Sequence, residues 1–405
     1  AGSPAAAQLG LNAETLNGIR PLVEEAIRAG ETAGCVVCIG RRDGIAWLEC
    51  FGDRQVEPTR EPMTRDTVFD LASLTKPVAT ATSVMQLVDD SLLQLDDPIA
   101  THLPAFAANG KAAITVRDLL THTSGLIADN ALADYEQGPE EAWNRICSLK
   151  PLAERGERFI YSDVNFIVLG RLVETLRGQP LAHVARSRIF EPLRMTDAGF
   201  TPDAVRSARA AATEQREGEW LRGEVHDPRA WKLGGVAGHA GLFATADDLA
   251  RYARAMLQGG ELEGVSVLGA PAVATMTAAT AVPGGGLRGL GWDKQSGFSS
   301  NRGERLSSSA FGHGGFTGTS LWIDPDLDLF VIFLGSRLHP DGKGRVNPLA
   351  GAIADVAVAA IEPAASDVPI TVAARTPTPQ PNVVVILADD AGWGEYFVHR
   401  TGHGI

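Results

Sequence analysis

Ser73 and Lys76 stand three residues apart in Asp70-Leu71-Ala72-Ser73-Leu74-Thr75-Lys76-Pro77. A serine hydroxyl is a poor nucleophile until a neighbour takes its proton. Spacing i, i+3 puts both side chains on one helical face. The partial positive charge at a helix N-terminus disfavours a second cation, so a lysine there is expected to titrate low and to accept that proton. Ser-Lys pairs are one variant of the Ser-His-Asp logic. Taken alone, the same residues also fit an N-cap serine followed by an exposed lysine. The flanks favour chemistry. Val68, Phe69 and Leu71 form an apolar approach, and Val78, Ala81, Met85 and Val88 recur at helical spacing, which puts the serine at the mouth of a buried helix.

Two more segments carry chemical side chains. Tyr161-Ser162-Asp163 follows the loop 156–160 and precedes a helix. A tyrosine held near Lys76 could share or relay the serine proton as a phenolate. The structural alternative is an aromatic packed at a helix entrance, with Ser162 or Asp163 as the N-cap. His313-Gly314-Gly315 enters a strand within Gly312 to Thr319. Glycines let backbone approach a ligand closely, and an N–H on that strand could join the Ser73 N–H in an oxyanion hole. The alternative there is a glycine-rich bulge. A Ser-His-Asp triad is the competing mechanism, but no Gly-x-Ser-x-Gly elbow occurs for His226 or His239 to serve. Both histidines read as loop-structuring residues. No His-Glu-x-x-His or paired Cys-x-x-Cys pattern calls for zinc.

The elements that must position these residues follow from periodicity. Residues 13–29 read as helix with a kink or restart at Pro21, and 34–40 with 45–51 as a hairpin. A turn centred on Arg42-Asp43 would set Cys35 opposite Cys50, whereas the stronger Asp43-Gly44 signal would set Val37 there. Buried thiols are the expectation over a disulfide, and Cys35 and Cys38 point to opposite faces of one strand. The Ser73 helix ends near Asp89-Asp90. Residues 91–280 read as mostly helical with long loops, including a helix that ends at the Leu119 to Leu126 turn, one reaching Leu176 and one opened by a capping box at Thr245 to Asp248. Strands are expected at 287–292, 320–323 and 329–334, with a turn at 324–328 and a closing helix from Asn347-Pro348. Sheet elements thus lie at both ends with helices between, which implies an α/β domain interrupted by a helical insertion and a site in the crevice.

Composition bounds the rest. The chain has 405 residues, of which 44% are hydrophobic and 21% charged, enough for a large core in two domains or one with an insertion. No apolar run approaches the ~20 residues that span a bilayer. Net charge is −13 with no Lys/Arg cluster, which argues against nucleic acid as a partner. Four cysteines imply no disulfide scaffold. The opening Ala-Gly-Ser-Pro, without Met or an apolar signal core, reads as a processed or cloning-derived start, and the compartment stays open.

The ordered set Ser73-x-x-Lys76, Tyr161-x-Asp163 and His313-x-Gly315 resembles the serine β-lactamase and penicillin-binding protein superfamily, above all class C β-lactamases and family VIII carboxylesterases. Leu119 to Leu126 and Gly238 to Leu249 look similar too, and the likeness covers residues 10–362. The resemblance implies a β-lactamase-like α/β fold, an antiparallel sheet flanked by helices plus a mostly helical domain. The expected division is 1–90 with 281–365, then 91–280, then a linker and tail at 366–405. It implies Ser73 as the acylated nucleophile, Lys76 and Tyr161 as the proton-transfer pair, the N–H groups of Ser73 and Phe316 as oxyanion hole, and His313-Gly314-Gly315 as the substrate-facing strand. No cofactor is implied.

Two departures shift the reading. The second motif commonly ends in Asn, but an ionised Asp163 cannot donate to a substrate carbonyl and could instead orient Lys76. The third commonly begins with Lys, and a neutral His313 holds a substrate carboxylate less well. Both point from β-lactamase toward an esterase acting through an acyl-enzyme on small carboxylic esters, with weak β-lactam hydrolysis beside it. Residues 223–227 with Gly238-His239-Ala240-Gly241 look instead like some D-alanyl-D-alanine carboxypeptidases, which keeps a β-lactamase or D-amino-acid peptidase as the alternative. The expected partner is a small ester or β-lactam, with oligomeric state open. Residues 381–394 resemble the opening strand of a sulfatase, where Asp389 and Asp390 would begin a metal site; no nucleophile motif follows, so the tail reads as a truncated fusion.

Overall fold

Every residue from Gly34 to Gly40 is buried, because strand β1 (Gly34–Arg41) runs through a sheet covered on both faces. Period-two alternation sends Val36 and Cys38 into one core and Cys35, Val37 and Ile39 into the other. The computed structural model describes residues 4–362. β1 pairs on one side with β2 (Gly44–Gln55). On the other side β5 (Leu329–Gly335), β4 (Thr319–Asp324) and β3 (Phe311–Gly315) follow in that spatial order. Glu61–Pro62 closes one edge, and the short strands Asp293–Gln295, Leu287–Arg288 and Thr280–Ala281 extend the other, giving nine strands, all antiparallel. This is the expected β-lactamase-like α/β class. Of the strand expected at 287–292 only Leu287–Arg288 forms, and a separate strand follows at Asp293–Gln295.

The β1–β2 hairpin corrects the expected register. Arg41 faces Gly44, as a turn on Arg42-Asp43 requires, but a bulge at Ile39/Gly40 shifts the rest by one. Cys50 therefore lies opposite Val36, and Cys35 opposite Phe51. All four thiols are free, and burial pushes those of Cys35 and Cys38 far up, which makes them inert.

Helices α1 (Ile19–Arg28), α2 (Thr82–Asp89), α3 (Asp163–Arg177), α4 (Ala246–Leu257) and α5 (Val346–Ala359) supply the covering layers. Ile19 and Val23 of α1 and Ile353 and Ala357 of α5 bury against Val37, Val331 and Phe333. Leu249, Tyr252 and Met256 of α4 join α2 and α3 in the core on the other face. The N-terminal helix breaks at Gly18, not at Pro21. Pro21 falls in the first turn of α1, where its missing N–H leaves no bond unmade. Ser162, not Asp163, caps α3 by accepting from the Asn165 N–H, and α4 opens with the expected Thr245/Asp248 capping box.

Several short strands have no counterpart among the expected ones, and one of them bears on Ser73. Leu242–Ala244 pairs between Phe69–Asp70 and Gly199–Phe200 as a small antiparallel sheet. It clamps the approach to Ser73 onto the middle of the helical region. No helix among the described residues is long and apolar enough to cross a membrane. The expected linker and the sulfatase-like segment 381–394 lie outside the described residues.

Candidate active site

Ser73 does not open a regular α-helix. It sits in a tight turn, Ala72–Leu74, followed by a widened turn, Lys76–Ala81, before α2 begins. Pro77 cannot complete an i→i−4 bond, which accounts for the widening. Ala72 has φ 45°, a left-handed conformation that costs an L-residue ~1–2 kcal/mol. The surroundings hold it there. Asp70 accepts from the Ala72 N–H at 2.9 Å, Thr317 Oγ1 donates to the Asp70 carbonyl at 2.7 Å, and the Leu71 N–H donates to the Leu242 carbonyl at 2.9 Å. The serine is thus presented by strands on both sides of its turn.

Lys76 is fully buried. Its Nζ donates to Ser73 Oγ at 2.9 Å and to the His239 carbonyl at 3.2 Å, and it pairs with Asp163 Oδ1 at 2.7 Å. It also lies 4.9 Å from the centre of the Tyr161 ring. The neutral lysine expected at a helix end is not what forms. Burial does oppose the charge, but Asp163 and then Tyr161 outweigh it and hold Lys76 above its ordinary value, as a cation.

β3 completes the group. The His313 ring lies 5.9 Å from that of Tyr161. Its Nδ1 stands 2.7 Å from the Gly314 carbonyl, which can only accept, so Nδ1 carries the proton. Burial, then Arg288 and Lys76, push His313 well below its ordinary range, so it is neutral and Nε2 presents a lone pair. Nε2 is buried and has no hydrogen-bond partner among the described residues. A Cβ on Gly315 would stand 2.2 Å from Thr319 Oγ1 and 2.4 Å from the Leu71 carbonyl, so only glycine lets β3 pass this close to the Ser73 turn. Phe316 follows directly, half-exposed, between His226 at 5.3 Å and the Arg337 guanidinium at 4.4 Å. The structure therefore brings Ser73, Lys76, Tyr161, Asp163 and the third motif into one place.

Several neighbours were assigned no part in the site by the sequence. His122 accepts from the Ser162 N–H at 3.0 Å, and its ring lies 4.5 Å from Tyr161, fixing the second motif from behind. Arg288 is completely buried 6.0 Å from the Tyr161 ring and pairs with Asp293 at 3.2 Å. Phe298 covers Tyr161 with 4.9 Å between ring centres. His239, read as a loop residue, gives its carbonyl to Lys76 and pairs through Nε2 with Asp227 at 2.9 Å. Burial would strip its proton, but Asp227 and Asp163 outweigh burial and raise it.

Asp163, Asp227 and His239 bring three ligand atoms within 4.8 Å of one another, the one such cluster among the described residues. Its carboxylates already face the Lys76 ammonium and the His239 imidazole, so the charges balance without a metal ion.

An antiparallel sheet that brings together a serine, a buried lysine, a tyrosine and a glycine-bearing strand is the arrangement of a serine hydrolase. The chain belongs to the Beta-lactamase family, which matches residues 19–355, and is a serine hydrolase of the β-lactamase and penicillin-binding protein kind. It is 33% identical over 317 residues to an Escherichia coli (strain K12) protein described as "Putative D-alanyl-D-alanine carboxypeptidase", covering 70% of this chain and 73% of that one. Its fold is similar to that of a penicillin-binding protein homologue from Caulobacter crescentus, with TM-score 0.71, 22% identity and coverage of 87% and 99%. It is also similar to a family VIII carboxylesterase, with TM-score 0.68, 19% identity and coverage of 87% and 99%.

Proposed function

We propose that the protein cleaves small carboxylic esters through an acyl-enzyme on Ser73. The observation that carries this reading is the state of His313. A neutral imidazole that offers a lone pair at the third motif repels a substrate carboxylate and accepts from neutral groups, which favours an uncharged ester over a β-lactam or a peptide terminus.

Ser73 Oγ attacks the ester carbonyl as its proton leaves for the Lys76–Tyr161 pair. Lys76 is already cationic, so it takes that proton only as it hands one on to the Asp163 carboxylate, 2.7 Å away. The negative oxygen enters the N–H groups of Ser73 and Phe316, worth ~3–4 kcal/mol per donor in comparable sites. Collapse breaks the bond to the alcohol, whose oxygen takes the Tyr161 hydroxyl proton, while Lys76 restores that proton to Tyr161 and Asp163 returns one to Lys76. Water then repeats the sequence on the acyl-serine. Asp163 fixes the place and charge of Lys76.

The relative described as a carboxypeptidase supports a second reading, a D-alanyl-D-alanine peptidase or β-lactamase with the same machinery. Intact-mass spectrometry after brief mixing with p-nitrophenyl butyrate or a cephalosporin, for wild type and Ser73→Ala, separates the two. The expected result is ester cleavage, lost in the variant, with little cephalosporin turnover. A long-lived cephalosporin adduct on Ser73 would favour the second reading, and neither adduct nor product would end both.

A further inference from the structure

Among the described residues two phenylalanines are more than a third exposed, Phe298 at 49% and Phe316 at 42%. Phe298 packs on the Tyr161 ring and Phe316 directly follows Gly315, and an exposed aromatic beside reacting groups is surface that a ligand can cover. Phe316 already lies between His226 and Arg337. Phe298 packs one side against Tyr161, at 4.9 Å and 31°, and its edge against Phe159 at 6.1 Å.

The turn that carries Phe298 is built, not loose. Ser299 Oγ donates to Asp293 Oδ2 at 2.7 Å, the Ser296 N–H donates to Ser299 Oγ at 2.8 Å, and the Phe298 N–H donates to Ser296 Oγ at 3.2 Å. Asp293 in turn pairs with Arg288, which is buried beside Tyr161. The ring is therefore held over Tyr161 before any substrate arrives, at little ordering cost on binding.

Which half of the substrate meets this ring follows from proton bookkeeping. The oxygen that leaves must lie within hydrogen-bond reach of the group that protonates it. In the mechanism above that group is Tyr161, so the alcohol portion lies on the Tyr161 side, under Phe298, and the acyl portion lies away from it. We propose that Phe298 is the wall of a leaving-alcohol subsite, and that the enzyme selects esters of apolar alcohols. The proposal rests on the ester reading and on Tyr161 as the proton donor.

Two substrate series test it on the full chain, in wild type, Phe298→Ala and Phe298→Leu. In the first the acyl group is fixed and the alcohol grows, ethyl acetate against hexyl acetate, whose alkoxides leave about equally well. In the second the alcohol is fixed and the acyl group grows, p-nitrophenyl acetate against p-nitrophenyl hexanoate. The wild-type kcat/KM ratio of hexyl to ethyl acetate is expected to exceed one. It should fall about tenfold in Phe298→Ala, the order expected for losing contact with several methylenes, and recover in part in Phe298→Leu. The acyl ratio should move far less. A purely structural role would lower every ester together and leave both ratios unmoved, which overturns the proposal. So does a fall in the acyl ratio alone, which would put Phe298 on the acyl side. Both results leave the ester reading intact as long as cleavage is lost in Ser73→Ala. No cleavage of any ester overturns that reading, and this one with it.

Discussion

An imidazole whose Nδ1–H is spent on the Gly314 carbonyl has only a lone pair left at Nε2, at the head of a motif that commonly begins with a lysine. Substrate choice at the residue scale then reduces to one charge. His313→Lys replaces an acceptor by three donors and a cation. A charge-assisted hydrogen bond is worth ~1.5–3 kcal/mol, so the kcat/KM of a cephalosporin relative to p-nitrophenyl butyrate should rise about tenfold or more. The new ammonium would be buried near Lys76 and Arg288, two like charges, so the melting temperature should fall as well. Steady-state kinetics on both substrates, with a thermal melt, checks this. An unchanged substrate ratio in a folded variant would mean that something other than His313 excludes carboxylates.

At the scale of elements, the serine turn is only as well placed as the segment 223–241 that wraps it. The His226 N–H donates to Asp70 Oδ2 at 2.7 Å, the residue that also holds Ala72, and the His239 carbonyl accepts from Lys76. Asp227 ties the two ends together. It pairs with His239 and caps the short helix Pro228–Lys232, accepting from Arg229 and Ala230 at 3.0 and 2.8 Å. Asp227→Asn keeps a capping oxygen and removes the charge that raises His239 above its ordinary value. The expected effect is a 10- to 100-fold fall in kcat, of the order of ~1.5–3 kcal/mol, with KM little changed, because Lys76 shifts while the substrate walls stay. A raised KM at unchanged kcat would assign this segment to substrate binding instead. This dependence was hidden in the sequence. The chemical residues were readable because their spacing is local, within one turn at Ser73 and Lys76 or one strand at His313. The pairing of Leu242–Ala244 with Phe69–Asp70 spans more than 170 positions through strands of two or three residues, too short to show a period. The burial of Arg288 and the bulge that moves Cys50 are likewise set by tertiary packing, which local composition does not encode.

Across the whole molecule, folding leaves titratable groups in dry places that touch none of the catalytic side chains. His339 is one of them. Its Nε2 accepts from the Val56 N–H at 2.9 Å, and its ring meets Trp220 at 4.3 Å, joining the end of β2 to the segment after β5. Burial, with Arg222 nearby, lowers it from 6.5 to about 4. Between those values the unfolded chain binds a proton that the folded chain refuses. Stability from this group is therefore present above about pH 6.5 and is lost as pH falls toward about 4. His122 and His313 are held low by burial and act with the same sign, whereas His239 is raised and Asp248 is pushed up to about 6, and both act with the opposite sign. The acid profile of the whole protein is their sum, so a single substitution has to isolate one contribution. His339→Gln keeps an acceptor for Val56 and cannot titrate. The drop in melting temperature between about pH 7 and about pH 5 should be smaller in this variant than in wild type, with ester hydrolysis retained because the site lies elsewhere. Differential scanning calorimetry at the two pH values checks it. An equal drop in both proteins would mean that His339 is as easily protonated in the fold as in the open chain, and that the acid response comes from the histidines at the crevice.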